Sequence, residues 1–124
     1  MATNNAVGIQ IYTVVAGGST KVAISNSIAS NNNNQGILAA NDSNALAVSI
    51  DNTSATGNGK GIEAIVTPNV TLGRSVITGN VIYGIVNETT PNTFYSYGDN
   101  RINGNGTVLA DDINGTMPIS DALK

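Results

Sequence analysis

The chain has 124 residues, enough for one domain, with 10% charged and 40% hydrophobic residues, a net charge of −3, and neither cysteine nor histidine. That composition excludes disulfides, thiol nucleophiles, a Ser-His-Asp triad and nearly every zinc or copper site, so no metal or organic cofactor is expected. The five basic residues Lys21, Lys60, Arg74, Arg101 and Lys124 are scattered and form no stripe for nucleic acid or an anionic membrane. No apolar run reaches the length of about 18 residues that spans a bilayer, and Met1 to Gly8 has no signal-peptide pattern. Neither a nucleic-acid partner nor membrane insertion is expected.

Taken in chain order, the first element is the alternating string Val7-Gly-Ile9-Gln-Ile11-Tyr-Thr-Val-Val15. Four longer segments follow that can be laid over one another. They are Val22-Ala-Ile24-Ser-Asn26-Ser-Ile28 running to Asn32, Val48-Ser-Ile50-Asp-Asn52 running to Asn58, Val70-Thr-Leu72-Gly-Arg74-Ser-Val-Ile77 running to Asn80, and Tyr95-Ser-Tyr97-Gly-Asp-Asn-Arg-Ile102 running to Asn105. The closing asparagines lie 26, 22 and 25 residues apart. A second landmark, the Gly-Ile step at Gly8-Ile9, Gly36-Ile37, Gly61-Ile62 and Gly84-Ile85, returns in phase with the first.

Within each unit the apolar residues recur at period two, which puts them on one face of a short strand. Glycine, asparagine and serine then interrupt, so no unit carries a helical stripe of useful length. A two-stranded unit is marginal by itself, but stacking units at about 4.8 Å pairs each strand with its neighbour and buries a continuous apolar column. The expected fold is therefore all-β, a right-handed parallel β-helix of about four coils. It occupies 1–124 as a single domain, with repeats over about 8–106 and a C-terminal cap over 107–124. A leucine-rich repeat would need a regular Leu-x-x-Leu-x-Leu pattern that is missing, and a β-sandwich would not repeat one string four times in phase.

The strings Val22–Ile28, Ser75-Val-Ile-Thr-Gly-Asn80 with Tyr83-Gly-Ile85, and Tyr95–Asn105 make the sequence resemble the right-handed parallel β-helix group that contains the pectate lyases and many repeat-bearing secreted or surface proteins. The resemblance covers roughly 8–106 and implies the fold, together with a secreted or cell-surface location. It carries no catalytic residue over by motif.

Ile24, Ile50 and Leu72 are expected to stack inside the coil as an aliphatic ladder, with Ile9, Ile37, Ile62 and Ile85 on the next wall. Asn32, Asn58, Asn80 and Asn105 form the matching turn ladder, since asparagine tolerates left-handed backbone and its amide can bond one coil away. Gly36, Gly61 and Gly84 permit tight corners. Alternation sends Tyr95 and Tyr97 to one side and Phe94 to the other, as a plug for the last coil or, for the tyrosines, a platform for a sugar ring. In the tail, Asp111-Asp112 and Asn114-Gly115 read as loop and Pro118 to Lys124 as a terminal helical turn capped by Ser120.

Two functional classes follow. The leading one is a non-catalytic β-helical scaffold or assembly module, with polysaccharide as a contact. The alternative is a glycan-active enzyme, inverting-hydrolase-like or lyase-like, working through surface carboxylates. Glu63 and Glu88, at +2 and +4 from their Gly-Ile landmarks, are both expected on the water-facing side, about 8 Å apart on the diagonal between coils. That falls in the roughly 6.5–9.5 Å range of inverting glycosidases. An ice-contacting face ranks lower, because the threonines do not align across coils in the sequence comparison. Finally, the first strand presents an open parallel edge, so the chain is expected to be a homo-oligomer through its N-terminal coil, at Ile9, Ile11 and Val14.

Overall fold

The computed structural model describes residues 1–14, 16–42, 44–89, 94–115 and 117. The first coil consists of β1 (Ala2–Thr3), β2 (Ile9–Thr13) and β3 (Ser19–Ser25), and the second of β4 (Ile28–Ser30), β5 (Gln35–Asn41) and β6 (Ala45–Asp51). The third comprises β7 (Ser54–Thr56), β8 (Lys60–Val66) and β9 (Asn69–Gly73), and the fourth β10 (Val76–Thr78), β11 (Tyr83–Thr89) and β12 (Phe94–Ser96). After them β13 (Arg101–Asn103), a 3-10 turn (Leu109–Asp112) and β14 (Ile113–Asn114) begin a further turn.

Every strand pairs in parallel with its counterpart one coil away, giving three walls. Sheet A runs β1-β4-β7-β10-β13, sheet B β2-β5-β8-β11-β14, and sheet C β3-β6-β9-β12. The protein is a right-handed parallel β-solenoid of four coils.

The interior is a set of aliphatic columns. Ile24, Ile50 and Leu72 stack in register on sheet C, and Ile9, Ile37, Ile62 and Ile85 stack on sheet B. Ile37, Ile50, Ile62, Leu72 and Ile85 are fully buried, as the alternation predicts. Sheet A contributes one inward residue per coil, Ala29, Ala55, Ile77 and Ile102.

One register assignment needs correction. The sequence comparison sets Tyr95 over Val70 and Tyr97 over Leu72, whereas the strand pairs Phe94 with Val70 and Ser96 with Leu72. A slip of one residue exchanges the faces of a strand. Phe94 is therefore fully buried as the fourth member of the Val22-Val48-Val70 column, and the two tyrosines point outward.

The turn ladder forms as expected. Asn32 donates its backbone N–H (3.0 Å) and its Nδ2 (2.8 Å) to Oδ1 of Asn58. Asn58 donates in the same way to Asn80, and Asn80 to Asn105. The ladder thus has a direction, with donors facing the next coil. It ends on Asp112, whose Oδ1 accepts both N–H (3.0 Å) and Nδ2 (2.8 Å) of Asn105. An aspartate accepts without needing to donate, which suits the last rung. The sequence reading took Asp112 as loop; the rest of the cap, from Pro118 onward, lies outside the described residues.

Gly36, Gly61 and Gly84 serve a purpose other than corner geometry, since none has a positive φ. A Cβ at Gly36 would lie 2.6 Å from Nδ2 of Asn58 and 2.7 Å from the carbonyl oxygen of Gly61. These glycines exist because each ladder amide and the next coil's backbone press against them.

Candidate functional site

Two outward faces carry chemistry. On sheet C the outward row Ala23, Ser49 and Thr71 is small and leads in register to Tyr95; it is flanked by the row Lys21, Ala47 and Asn69 on one side and by Asp51 and Gly73, next to Tyr97's corner, on the other. An open hollow of about 420 Å³ lies along Lys21, Ala23, Ala47, Ser49, Asn69 and Thr71. It adjoins a second of about 290 Å³, which shares Ser49 and is lined by Asp51, Gly73, Arg74, Tyr97 and Asp99. Tyr95 and Tyr97 are both half-buried.

Arg74 organises the second hollow. Its Nε donates to Oδ1 of Asp51 (3.0 Å), its Nη2 donates to Oδ2 of the same carboxylate, and its backbone N–H donates to Oδ1 of Asp99 (2.9 Å). The guanidinium hydrogen bond, together with its positive charge, holds Asp51 below the ordinary carboxylate range. Sequence comparison missed this fork because Asp51 and Arg74 sit at different offsets in their units and meet only when the coils stack.

On sheet A the outward residues fall into columns. Thr3, Ser30, Thr56 and Thr78 are in register on successive strands, followed by Asn103. The expectation that threonines do not align is overturned. The column is already present in the sequence, where Ser30, Thr56 and Thr78 each stand two residues before the closing asparagine of their segment.

Glu63 and Glu88 are placed differently from expectation. Glu63 pairs with Val86 and Glu88 with Ile65, so the two do lie on the predicted diagonal of sheet B. Glu88 is exposed, but Glu63 is only 2% exposed rather than water-facing. Its carboxylate accepts from Nζ of Lys60 and from Nε2 of Gln35, both toward the strand end away from Glu88. Gln35 and Lys60 are a register pair, and this joins three polar groups of two coils in one cluster. Sequence reading missed it because strict alternation sets Lys60 and Glu63 on opposite faces, and because Gln35 joins them only when two coils are stacked.

At the N-terminal end, Ile9 and Ile11 pack inward against the core while Val14 is 54% exposed. Of the three residues expected to mediate self-association, Val14 is exposed and Ile9 and Ile11 are half-buried. Among the described residues no group of acidic side chains gathers to hold a metal ion, and no helix is long and apolar enough to cross a membrane.

The strand register therefore defines the class, a four-coil right-handed parallel β-solenoid. No family model, curated protein or solved structure matches the chain.

Proposed function

We propose that the protein is a non-catalytic β-helical scaffold that contacts carbohydrate along the outer face of sheet C. The observation that carries this reading is the pair of outward tyrosines, Tyr95 and Tyr97, at the end of a shallow groove floored by Ala, Ser and Thr. Aromatic rings offer an apolar face to the C–H side of a sugar, and the small row Ala23, Ser49 and Thr71 lets a flat chain approach between Lys21 and the Asp51–Arg74 fork. Kinship with the pectate-lyase-like group, and a secreted or surface location, belong to the same proposal. The burial of Glu63 against Lys60 speaks against the carboxylate-pair alternative, since an inverting pair needs both groups at a water-filled gap. The test is affinity electrophoresis through gels that contain polysaccharides. Retardation of the wild-type chain, lost in Tyr95→Ala/Tyr97→Ala, supports the reading; equal migration in every gel overturns it.

A second reading is favoured by the sheet A register. Thr3, Ser30, Thr56 and Thr78 set a hydroxyl on each successive strand, with a methyl beside it at the three threonines, at the strand spacing of about 4.8 Å, near the oxygen repeat of an ice face. Ile28 and Val76 lie exposed in the adjoining column. Thermal hysteresis that disappears in Thr56→Lys would establish that face as ice-contacting, and absence of hysteresis in the wild type removes it.

Self-association is proposed at the edges of β1, β2 and β3, the outermost strands of the three sheets at the N-terminal end, with a second copy as partner. Sedimentation at low micromolar concentration should show a discrete dimer that Val14→Lys dissociates. A clean wild-type monomer refutes it. Lysine at Ile9 or Ile11 would test the core instead, because both point inward.

A further inference from the structure

The corner between sheets C and A keeps left-handed backbone in every coil, with Gly98 in the fourth at φ 88°. Asn26, Asn52 and Arg74 occupy it in successive coils, all in the left-handed region at φ 51°, 47° and 47°. Asparagine tolerates that conformation, whereas a long side chain there is strained. The third coil nevertheless places an arginine where asparagine would serve. The fork to Asp51 offsets the strain, yet the arginine side chain stays 68% exposed.

Its neighbours are arranged around it. A Cβ at Gly73 would lie 2.9 Å from Cδ2 of Tyr97 and 3.2 Å from Oδ1 of Asp51. Gly73 has no positive φ, so its lack of a side chain serves space. The ring edge of Tyr97 settles onto the backbone of the preceding coil, beside the Asp51–Arg74 fork, and the hollow keeps it half-exposed.

We infer that this corner, formed by Asp51, Gly73, Arg74, Tyr97 and Asp99, is a sugar subsite that takes an uncharged pyranose and rejects a uronate. The inference rests on the glycan-contact reading and narrows it to a substrate class. Charge decides the preference. Two carboxylates flank one guanidinium, two of whose nitrogens are already committed to Asp51. A uronate carboxylate entering the hollow would meet a net negative corner and find no unpaired cation. Neutral sugar hydroxyls can donate to Asp51 and Asp99, accept from Nη1 of Arg74, and lay a C–H face on Tyr97.

The rival is that the fork merely staples two coils. Arg74→Asn separates the two ideas, because it restores the residue that the first two coils use at this conformation and so keeps the corner foldable. Calorimetric titration would use a neutral β-glucan and a neutral galactomannan against polygalacturonate and alginate, with thermal unfolding as the fold control. The expected result is binding to a neutral polymer, weakened about tenfold by Tyr97→Ala and similarly by Arg74→Asn, with the uronates at least tenfold weaker than the neutral chain. Uronate binding as tight as neutral binding overturns the charge preference and leaves glycan contact standing. Neutral binding untouched by both variants overturns this corner as the subsite. Binding to none of the four polymers removes the glycan reading itself.

Discussion

Replacing Asn58 by alanine should cost the fold about 4 kcal/mol, a large part of the 5–15 kcal/mol that stabilises a domain. Asn58 is fully buried in the middle of the ladder. Its Oδ1 accepts from both N–H and Nδ2 of Asn32, and its Nδ2 donates to Ala29 O (3.0 Å) and Asn80 Oδ1 (3.1 Å). Truncation leaves the buried N–H of Asn32 without an acceptor and deprives Ala29 O of a donor, while Asn80 Oδ1 keeps the backbone N–H of residue 58. Each buried polar group stranded in this way costs about 1–3 kcal/mol, and the vacated volume adds to the sum. The midpoint of thermal unfolding should drop by roughly 15 °C. Asn58→Asp gives a sharper test, with a sign. The carboxylate keeps the acceptor but sets a negative charge against Oδ1 of Asn80 with no donor between them. Burial and that oxygen both favour the protonated acid, so its folded-state pKa is raised above the unfolded value of about 3.9. The variant should therefore gain stability relative to wild type as pH falls toward the carboxylate range, and lose it as pH rises. At the ladder's end the rule reverses. Asp112→Asn keeps the acceptor for Asn105 but adds a buried Nδ2 with no further rung to receive it, and should cost about 1 kcal/mol, well short of the loss at Asn58. If Asn58→Ala unfolds within 3 °C of wild type, the ladder is ornamental and this account of the fold fails.

What the sequence discloses is whatever repeats in phase within one coil. The aliphatic columns through Ile50 and Ile62 and the ladder through Asn58 and Asn80 are legible because period-two alternation and a landmark return together along the chain. Sheet A is not legible by alternation, because its paired strands are three residues long and carry one inward side chain each, as small as Ala29 or Ala55. Its hydroxyl column at Ser30, Thr56 and Thr78 is carried in phase with the closing asparagines, but only the pairing of the strands shows that it faces outward on one wall.

The candidate sites are harder to read, since they are made between coils. Nothing local says that Asp51 will meet Arg74 across 23 residues, or that Gly73 is empty to seat Tyr97. The tyrosine face was readable from alternation, while the register of Phe94 was not, because the fourth unit is aromatic and offers two equally apolar frames. Gly36 and Gly61 were legible as glycines, with the wrong cause. A turn residue and a close-packing residue look alike until the neighbouring coil is present. One signal could have found the ladder's stop: an aspartate shortly after the last asparagine of a donor–acceptor series is the residue that ends it.

The cluster on sheet B supplies the second large effect. Lys60→Met should destabilise the protein by about 3 kcal/mol, although Lys60 and Met have similar length and apolar stems. The reason lies with the partner. Glu63 is 2% exposed while the Lys60 side chain retains 23%, so the ammonium is the cluster's link to water and the carboxylate has almost none. Removing the cation leaves Glu63 with the amide of Gln35, whose own Oε1 is buried without a hydrogen-bond partner. Breaking a buried pair costs about 3–5 kcal/mol because an uncompensated charge remains, and the partial exposure of Lys60 puts the figure at the lower end. Removing both charges should cost much less. In Lys60→Met/Glu63→Leu the outer face of β8 becomes apolar beside Val86 and Leu38, its register neighbours, and stability should return to within about 1 kcal/mol of wild type. Gln35 then loses its acceptor, and Gln35→Leu in the same background should add stability. Chemical denaturation of the four chains in the cycle measures the coupling directly, with at least about 2 kcal/mol expected between positions 60 and 63. Additive effects would show that Glu63 is solvated in solution, and a solvated Glu63 would bring back the exposed carboxylate pair with Glu88 that its burial now opposes.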